Sequence, residues 1–374
     1  MSKPKVLLYA PREEPKPIID ALRNAGLDVV EGDRRWQTPG GQHREPFLAA
    51  ARDAVALMGT YSRFTPLDRP LLEACQRLRV VAKYTAGVDD IDTDAASDLG
   101  IMVCHAPTEA NCFGVAETTV AMILALLKRV RERDSEIRAG KWREPHLTSV
   151  YLGMRYSDNR PGITIGIVGL GRIGTRVANL LAPWRVRLIA YDPLIEPARF
   201  LLAGVLSVDY HTLLRESDVV TFHTPLTQDT RGMMGARELA MMKPTAIVIN
   251  AARGGLIDET ALAHALKSGA LRAAAIDAFV EEPLPAASPL RQLGDKILLS
   301  PHSASFNEDA QLGPGIEWAA RSVIAALAGN VPDNVFNREV IPRWKEKFGG
   351  ASVTGKSMIP KNGYRFSEKF MLNQ

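Results

Sequence analysis

The sequence predicts an α/β protein with two doubly wound parallel-sheet domains. Short apolar runs recur along the chain with helical patterns between them, and most run on without polar alternation, as strands covered on both faces do. The runs fall into two sets on either side of residues 108–162. At 374 residues the chain is also too long for one ordinary core.

The first set reads VLLYA (6–10), AVALMG (54–59), VVAKY (80–84) and IMVCH (101–105). Next comes VAETTVAMILALLKRVRERDSEIRAG, which reads as one long helix, apolar at first and charged towards its end. KWREPHLTSVYLGMRYSDNRPG then forms a long irregular loop, of the kind usually found at a functional site or an interface. The second set reads ITIGIVG (163–169), RLIAYD (187–192), VVTFH (219–223), AIVIN (246–250), AAAIDAF (273–279) and KILLSP (296–301). Past Phe348 glycine, serine and lysine follow without periodicity, so residues 346–374 are expected to form a flexible tail.

Composition narrows the function classes. A hydrophobic content of 46% fits a globular protein. The opening MSKPKVLLYAPREE returns to charge too soon for a signal peptide. The apolar stretch from Val115 to Leu127 is interrupted by Glu117 and is too short to span a bilayer, so no membrane partner is expected. Cys75, Cys104 and Cys112 are odd in number and lack CxxC spacing, which points to reduced cytoplasmic thiols and no metal site. The net charge of +4 is local: residues 338–374 hold eight Lys/Arg against three Asp/Glu, leaving the rest of the chain at about −1. A basic tail on a neutral body argues against a nucleic-acid partner.

The stretch from Thr164 to Pro193 carries the first chemistry. Gly169, Gly171 and Gly174 form GxGxxG between a strand and a helix. In such a unit the first glycine allows a tight turn, the second lets backbone approach a pyrophosphate, and the third lets helix pack on strand. The helix N-terminus offers unpaired N–H groups to the phosphates. Asp192 closes the next strand 18 residues after Gly174, placed for an adenosine ribose diol, and an acid there favours NAD over NADP. Beyond later strand ends stand Arg253 in NAARGGLID, Glu282 in DAFVEEPL and His302 in SPHSAS. Arginine offers a charged fork able to polarise a reacting oxygen. Histidine can exchange a proton with a carbonyl oxygen, and a carboxylate beside it would hold the ring in orientation.

Taken together, TAGVDDID (85–92), GVAETTVAMILALLKR (114–129), GIVGLGRIG (166–174), TPLTQDTRGMM (224–234), INAARGGLIDE (249–259), DAFVEEPL (277–284) and SPHSA (300–304) resemble the D-isomer-specific 2-hydroxyacid dehydrogenases over residues 5 to 340. The resemblance implies a Rossmann NAD-binding domain at 108–301 and a flavodoxin-like substrate domain from 1–107 and 302–345. It implies Arg253, Glu282 and His302 as the catalytic trio, with Glu282 chosen over Glu281 by its place before Pro283. It assigns the substrate carboxylate to backbone amides at Ala86 and Gly87, and adds Arg172, Ile173, Thr224, Pro225, Ala251, Asp277 and Ala304 to the cofactor contacts, with Asp277 near the nicotinamide amide. Cys112 falls in a segment that passes the nicotinamide in relatives. The implied reaction interconverts a D-2-hydroxy acid and its 2-keto acid with NAD. Alanine at 86 argues against phosphite as substrate, and Glu282 argues against formate. Tyr61 or Arg63 could select the substrate side chain. The resemblance further implies a homodimer joined through the 115–139 helix and the loop carrying Trp142. The alternative class is an NAD(H)-sensing corepressor of the same fold.

Overall fold

The computed structural model describes residues 3–11, 14–37, 43–62, 64–308 and 312–350. Arg63 and the expected tail beyond residue 350 lie outside the described residues. The chain divides into two units, residues 1–108 with 312–374, and residues 109–311.

In the first unit, strands β1 (Lys5–Ala10), β2 (Asp28–Glu31), β3 (Ala56–Gly59), β4 (Val80–Lys83) and β5 (Met102–Cys104) form a parallel sheet in the order β2-β1-β3-β4-β5, the flavodoxin-like winding. Alternate residues of one strand enter different cores. Val6, Leu8, Met58, Val80 and Ala82 pack with Ile316, Val323 and Trp344. Leu7, Tyr9, Leu57, Val81 and Val103 pack with Phe47, Leu71 and Leu72. Two covered faces are why these strands read as unbroken apolar runs.

The second unit holds β6 (Thr164–Val168), β7 (Arg187–Tyr191), β8 (Leu206–Ser207), β9 (Val219–Phe222), β10 (Ile247–Asn250), β11 (Ala273–Ile276) and β12 (Ile297–Leu299). Their order is β12-β11-β10-β9-β6-β7-β8, all parallel. The winding reverses between β6 and β9, the Rossmann switch point, and ligands bind such sheets beyond the strand ends there.

Four sequence expectations change. Strands β2 and β8 were not foreseen; both are sheet edges, half-exposed or exposed, and an edge strand needs no continuous apolar run. The long helix is two helices, Glu109–Lys128 and Val130–Arg138, broken by Arg129 at φ +51°. The first buries Ala116, Met122, Ile123, Leu126 and Leu127 in the core, while the second buries nothing. By length and composition alone Glu109–Lys128 could cross a membrane, but half of it is buried inside this fold. Residues 346–348, placed in the tail on sequence, finish the Ile341–Phe348 helix, which Trp344 anchors by donating to the Arg79 carbonyl at 3.0 Å. Residues 302–308, placed with the substrate domain, fall in the second unit, where Asp277 accepts from Ser303 N and Ala304 N at 3.0 and 3.1 Å.

Candidate active site

The glycine turn opens where β6 ends. Gly169 sits at φ +91°, and a Cβ there would lie 2.7 Å from the His223 carbonyl oxygen, so only glycine lets this turn press against the chain leaving β9. A Cβ on Gly174 would stand 2.1 Å from the Gly169 carbonyl oxygen; without it the helix seats on the strand. Gly171 differs, because a Cβ there would meet nothing within 4 Å. It precedes the Arg172–Leu181 helix without side-chain capping, leaving open space before the helix's unpaired N–H groups. That space is a cradle for a pyrophosphate, and the residues present fit a dinucleotide.

The neighbouring positions extend the cradle. Asp192 accepts from Leu170 N at 2.9 Å through one oxygen and from Leu194 N at 3.0 Å through the other. It ties the end of β7 to the glycine turn, and each oxygen keeps a second lone pair for a ribose hydroxyl. Ile173, Ala251 and Ala304 come together around Val115, a contact that sequence reading missed. Arg172 opens the helix, Thr224 and Pro225 follow β9 beside the turn, and the Pro225 carbonyl accepts from Thr230 Oγ1 at 2.8 Å. Burial holds the His223 imidazole down at about 3, so it is neutral; Nε2 lies 3.0 Å from Thr221 Oγ1 and Nδ1 has no hydrogen-bond partner. Burial also pushes the Cys112 thiol up, away from thiolate chemistry.

Arg253, Glu282 and His302 follow three adjacent strands, β10, β11 and β12. A Cβ on Gly254 would sit 1.9 Å from the Phe279 carbonyl carbon, so glycine brings the arginine loop hard against the loop that carries Glu282. Asn250, buried at the end of β10, donates to the Arg253 carbonyl at 2.9 Å and accepts from Ala252 N at 3.1 Å. Glu282 Oε1 accepts from Phe279 N at 2.9 Å. Its two oxygens lie 2.8 and 2.9 Å from His302 Nδ1. Glu281 is exposed beside it. His302 itself adopts φ +54°, a costly conformation for a side chain with a Cβ. Asp277 holds that turn: only 1% exposed, it receives the next two backbone amides, Ser303 and Ala304. The motif named Asp277 only as a nicotinamide contact; its grip on the histidine turn is visible only in the fold.

Ala86 and Gly87 lie in the first unit, in the turn after β4, both half-buried. The Ala86 carbonyl faces His105 Nδ1 at 2.9 Å, and the Gly87 carbonyl accepts from Thr85 Oγ1 at 3.2 Å. Tyr61 belongs to the same unit, its ring 5.1 Å from the Lys83 ammonium. Trp142 is 72% exposed. Among the described residues no group of three or more His, Cys, Asp or Glu side chains gathers as a metal site.

An acid–imidazole pair and an arginine on one sheet edge, with an open dinucleotide cradle on the same sheet, define a class: dinucleotide-dependent dehydrogenases built from two α/β units. Comparison with known proteins narrows it. Residues 120–304 match the model of the D-isomer specific 2-hydroxyacid dehydrogenase, NAD binding domain, and the chain belongs to that family. It is 37% identical to a glyoxylate reductase of Thermofilum pendens, over 91% of this chain and 96% of that one. It is 38% identical to a D-3-phosphoglycerate dehydrogenase of Mycobacterium leprae, over 87% of this chain and 60% of that one, so it spans little more than half the length of that relative. A D-lactate dehydrogenase from Aquifex aeolicus, solved with NAD and lactic acid, superposes with a TM-score of 0.74 at 25% identity, covering 94% of this chain and all of that one.

Proposed function

We propose that the protein interconverts a D-2-hydroxy acid and its 2-keto acid by hydride transfer with NAD(H), His302 acting as acid and base. The carrying observation is the Glu282–His302 pair on the sheet edge that follows Arg253. With Nδ1 engaged by Glu282, the proton to be exchanged sits on Nε2. The Gly169–Gly174 turn and Asp192 would hold NADH, which would supply the hydride. His302, charged as an imidazolium balanced by the Glu282 carboxylate, gives its Nε2 proton to the carbonyl oxygen and is left neutral; oxidation of the alcohol reverses both transfers and returns the charge to the ring. Arg253 is assigned to carboxylate and carbonyl together, since its fork can hold two oxygens at once. Ala86 and Gly87, small residues at a strand end, are assigned as carboxylate-receiving amides.

The reading includes cytoplasmic residence, supported by three buried cysteines without disulfides. It also includes a homodimer, supported by exposed Val130, Ile137, Trp142, Tyr151 and Tyr156 on the second helix and the loop behind it. Light scattering tests the dimer, which a monomer at micromolar concentration overturns. An NADH-oxidation screen over glyoxylate, hydroxypyruvate, phosphohydroxypyruvate and pyruvate tests the activity and identifies the substrate class. Dinucleotide binding without turnover of any 2-keto acid overturns the enzymatic reading.

A further inference from the structure

Lys83 is the last residue of β4, and its side chain is wholly buried; that of Asp90 is 1% exposed. The ammonium donates to both Asp90 oxygens at 2.6 Å and to the Thr60 carbonyl at 2.8 Å. Asp90 Oδ2 also accepts from Ser62 N at 2.7 Å, and its main-chain carbonyl accepts from Leu67 N at 2.8 Å. The Tyr9 hydroxyl, at the end of β1, donates to the same Thr60 carbonyl at 2.8 Å. One buried charge pair thus joins the ends of β1, β3 and β4.

Stability does not account for such a pair. Taking two charges out of water costs so much that well-packed apolar residues of like volume usually serve as well or better. What a charge pair adds is direction, because its hydrogen bonds admit few geometries. Here the direction bears on a particular loop. Lys83 and Asp90 close a ring around residues 84–89, which include Ala86 and Gly87. The ring is held elsewhere too: a Cβ on Gly315 would lie 1.9 Å from the Tyr84 carbonyl oxygen, and His105 Nδ1 meets the Ala86 carbonyl.

We propose that the buried Lys83–Asp90 pair is a positioning device that fixes the 84–89 loop against Thr60–Ser62, and so sets the Ala86 and Gly87 amides for the substrate carboxylate. Neither residue touches substrate; both act through the loop. The inference rests on the proposed function for what the amides receive, and on geometry alone for the clamp.

The test uses the full-length protein with Lys83→Met and with Lys83→Met/Asp90→Leu. The single variant leaves a carboxylate buried without its partner and loses thermal stability. The double variant regains the wild-type melting temperature, yet its KM for the 2-keto acid stays raised about tenfold or more, with NADH affinity within about twofold of wild type. Amide hydrogen exchange at 60–62 and 84–90 speeds up in the double variant while residues 164–304 keep their protection. A double variant with wild-type KM and wild-type exchange in both loops overturns the clamp. If the wild type turns over no 2-keto acid, the proposed function falls, and the exchange result alone decides whether the pair fixes the loop.

Discussion

Each sheet carries an acid–base pair at its carboxyl edge, and the two pairs differ in their access to water. In the second unit the imidazole of His302 is 34% exposed and Glu282 12%. In the first unit Lys83 and Asp90 are 0% and 1% exposed. Both bind neighbouring loops together. The half-open pair has Nδ1 engaged by Glu282, and the proposed function assigns proton exchange at a substrate oxygen to Nε2. The sealed pair is also met by a main-chain carbonyl, that of Thr60, and a main-chain amide, that of Ser62. On these two proposals, cross-loop pairing of acid and base serves chemistry where solvent and ligand reach it, and geometry where they do not.

The largest effect expected breaks the open pair. His302→Ala should lower kcat by about 10²- to 10⁴-fold, the range for a positioned acid and base, with NADH binding unaffected. Glu282→Gln keeps an acceptor for Nδ1 but removes the charge, so its loss should be smaller, about tenfold in kcat. Steady-state kinetics decide; equal losses in the two variants would mean that Glu282 does more than orient and balance the ring.

A second histidine, His223, follows β9 on the same edge, and burial sets its protonation. The unfolded chain takes up a proton at His223 below about pH 6.5, while the folded protein refuses it down to about 3. Stability from this group is complete above the unfolded value and falls as pH drops towards the folded one. Urea unfolding should show about 2 kcal/mol lost between about pH 7 and about pH 5, and a His223→Asn variant should lose much less. Identical slopes for the two proteins would sink the assignment.

The smallest effect separates two glycines of one turn. Gly171→Ala meets no protein atom, so the melting temperature should hold while the NAD(H) dissociation constant rises about tenfold, about 1.4 kcal/mol. Gly174→Ala strikes backbone and should destabilise the fold by about 1–3 kcal/mol. Calorimetry and fluorescence titration on both variants check the pair; a loss of stability in Gly171→Ala would mean that the open space belongs to packing rather than to a ligand.

The sequence by itself determined the two-sheet plan, because strands covered on both faces are mostly apolar, and ten of the twelve strands among the described residues announce themselves so. It also named the glycine turn, Asp192, Arg253, Glu282 and His302, whose motifs join side-chain chemistry to a strand end. Edges β2 and β8 stayed hidden, since both are short and largely exposed and carry no apolar run, unlike the better covered edges β5 and β12. The break at Arg129 stayed hidden too, because helical periodicity does not record where a helix leaves its core. Only tertiary structure decided that Asp277 holds the strained turn at His302 and that Lys83 and Asp90 close a loop out of reach of water. A charged residue reads the same in sequence whether exposed or sealed. What separates those states is the packing of neighbours distant in the chain, and that packing also decides whether a charge can react or only hold.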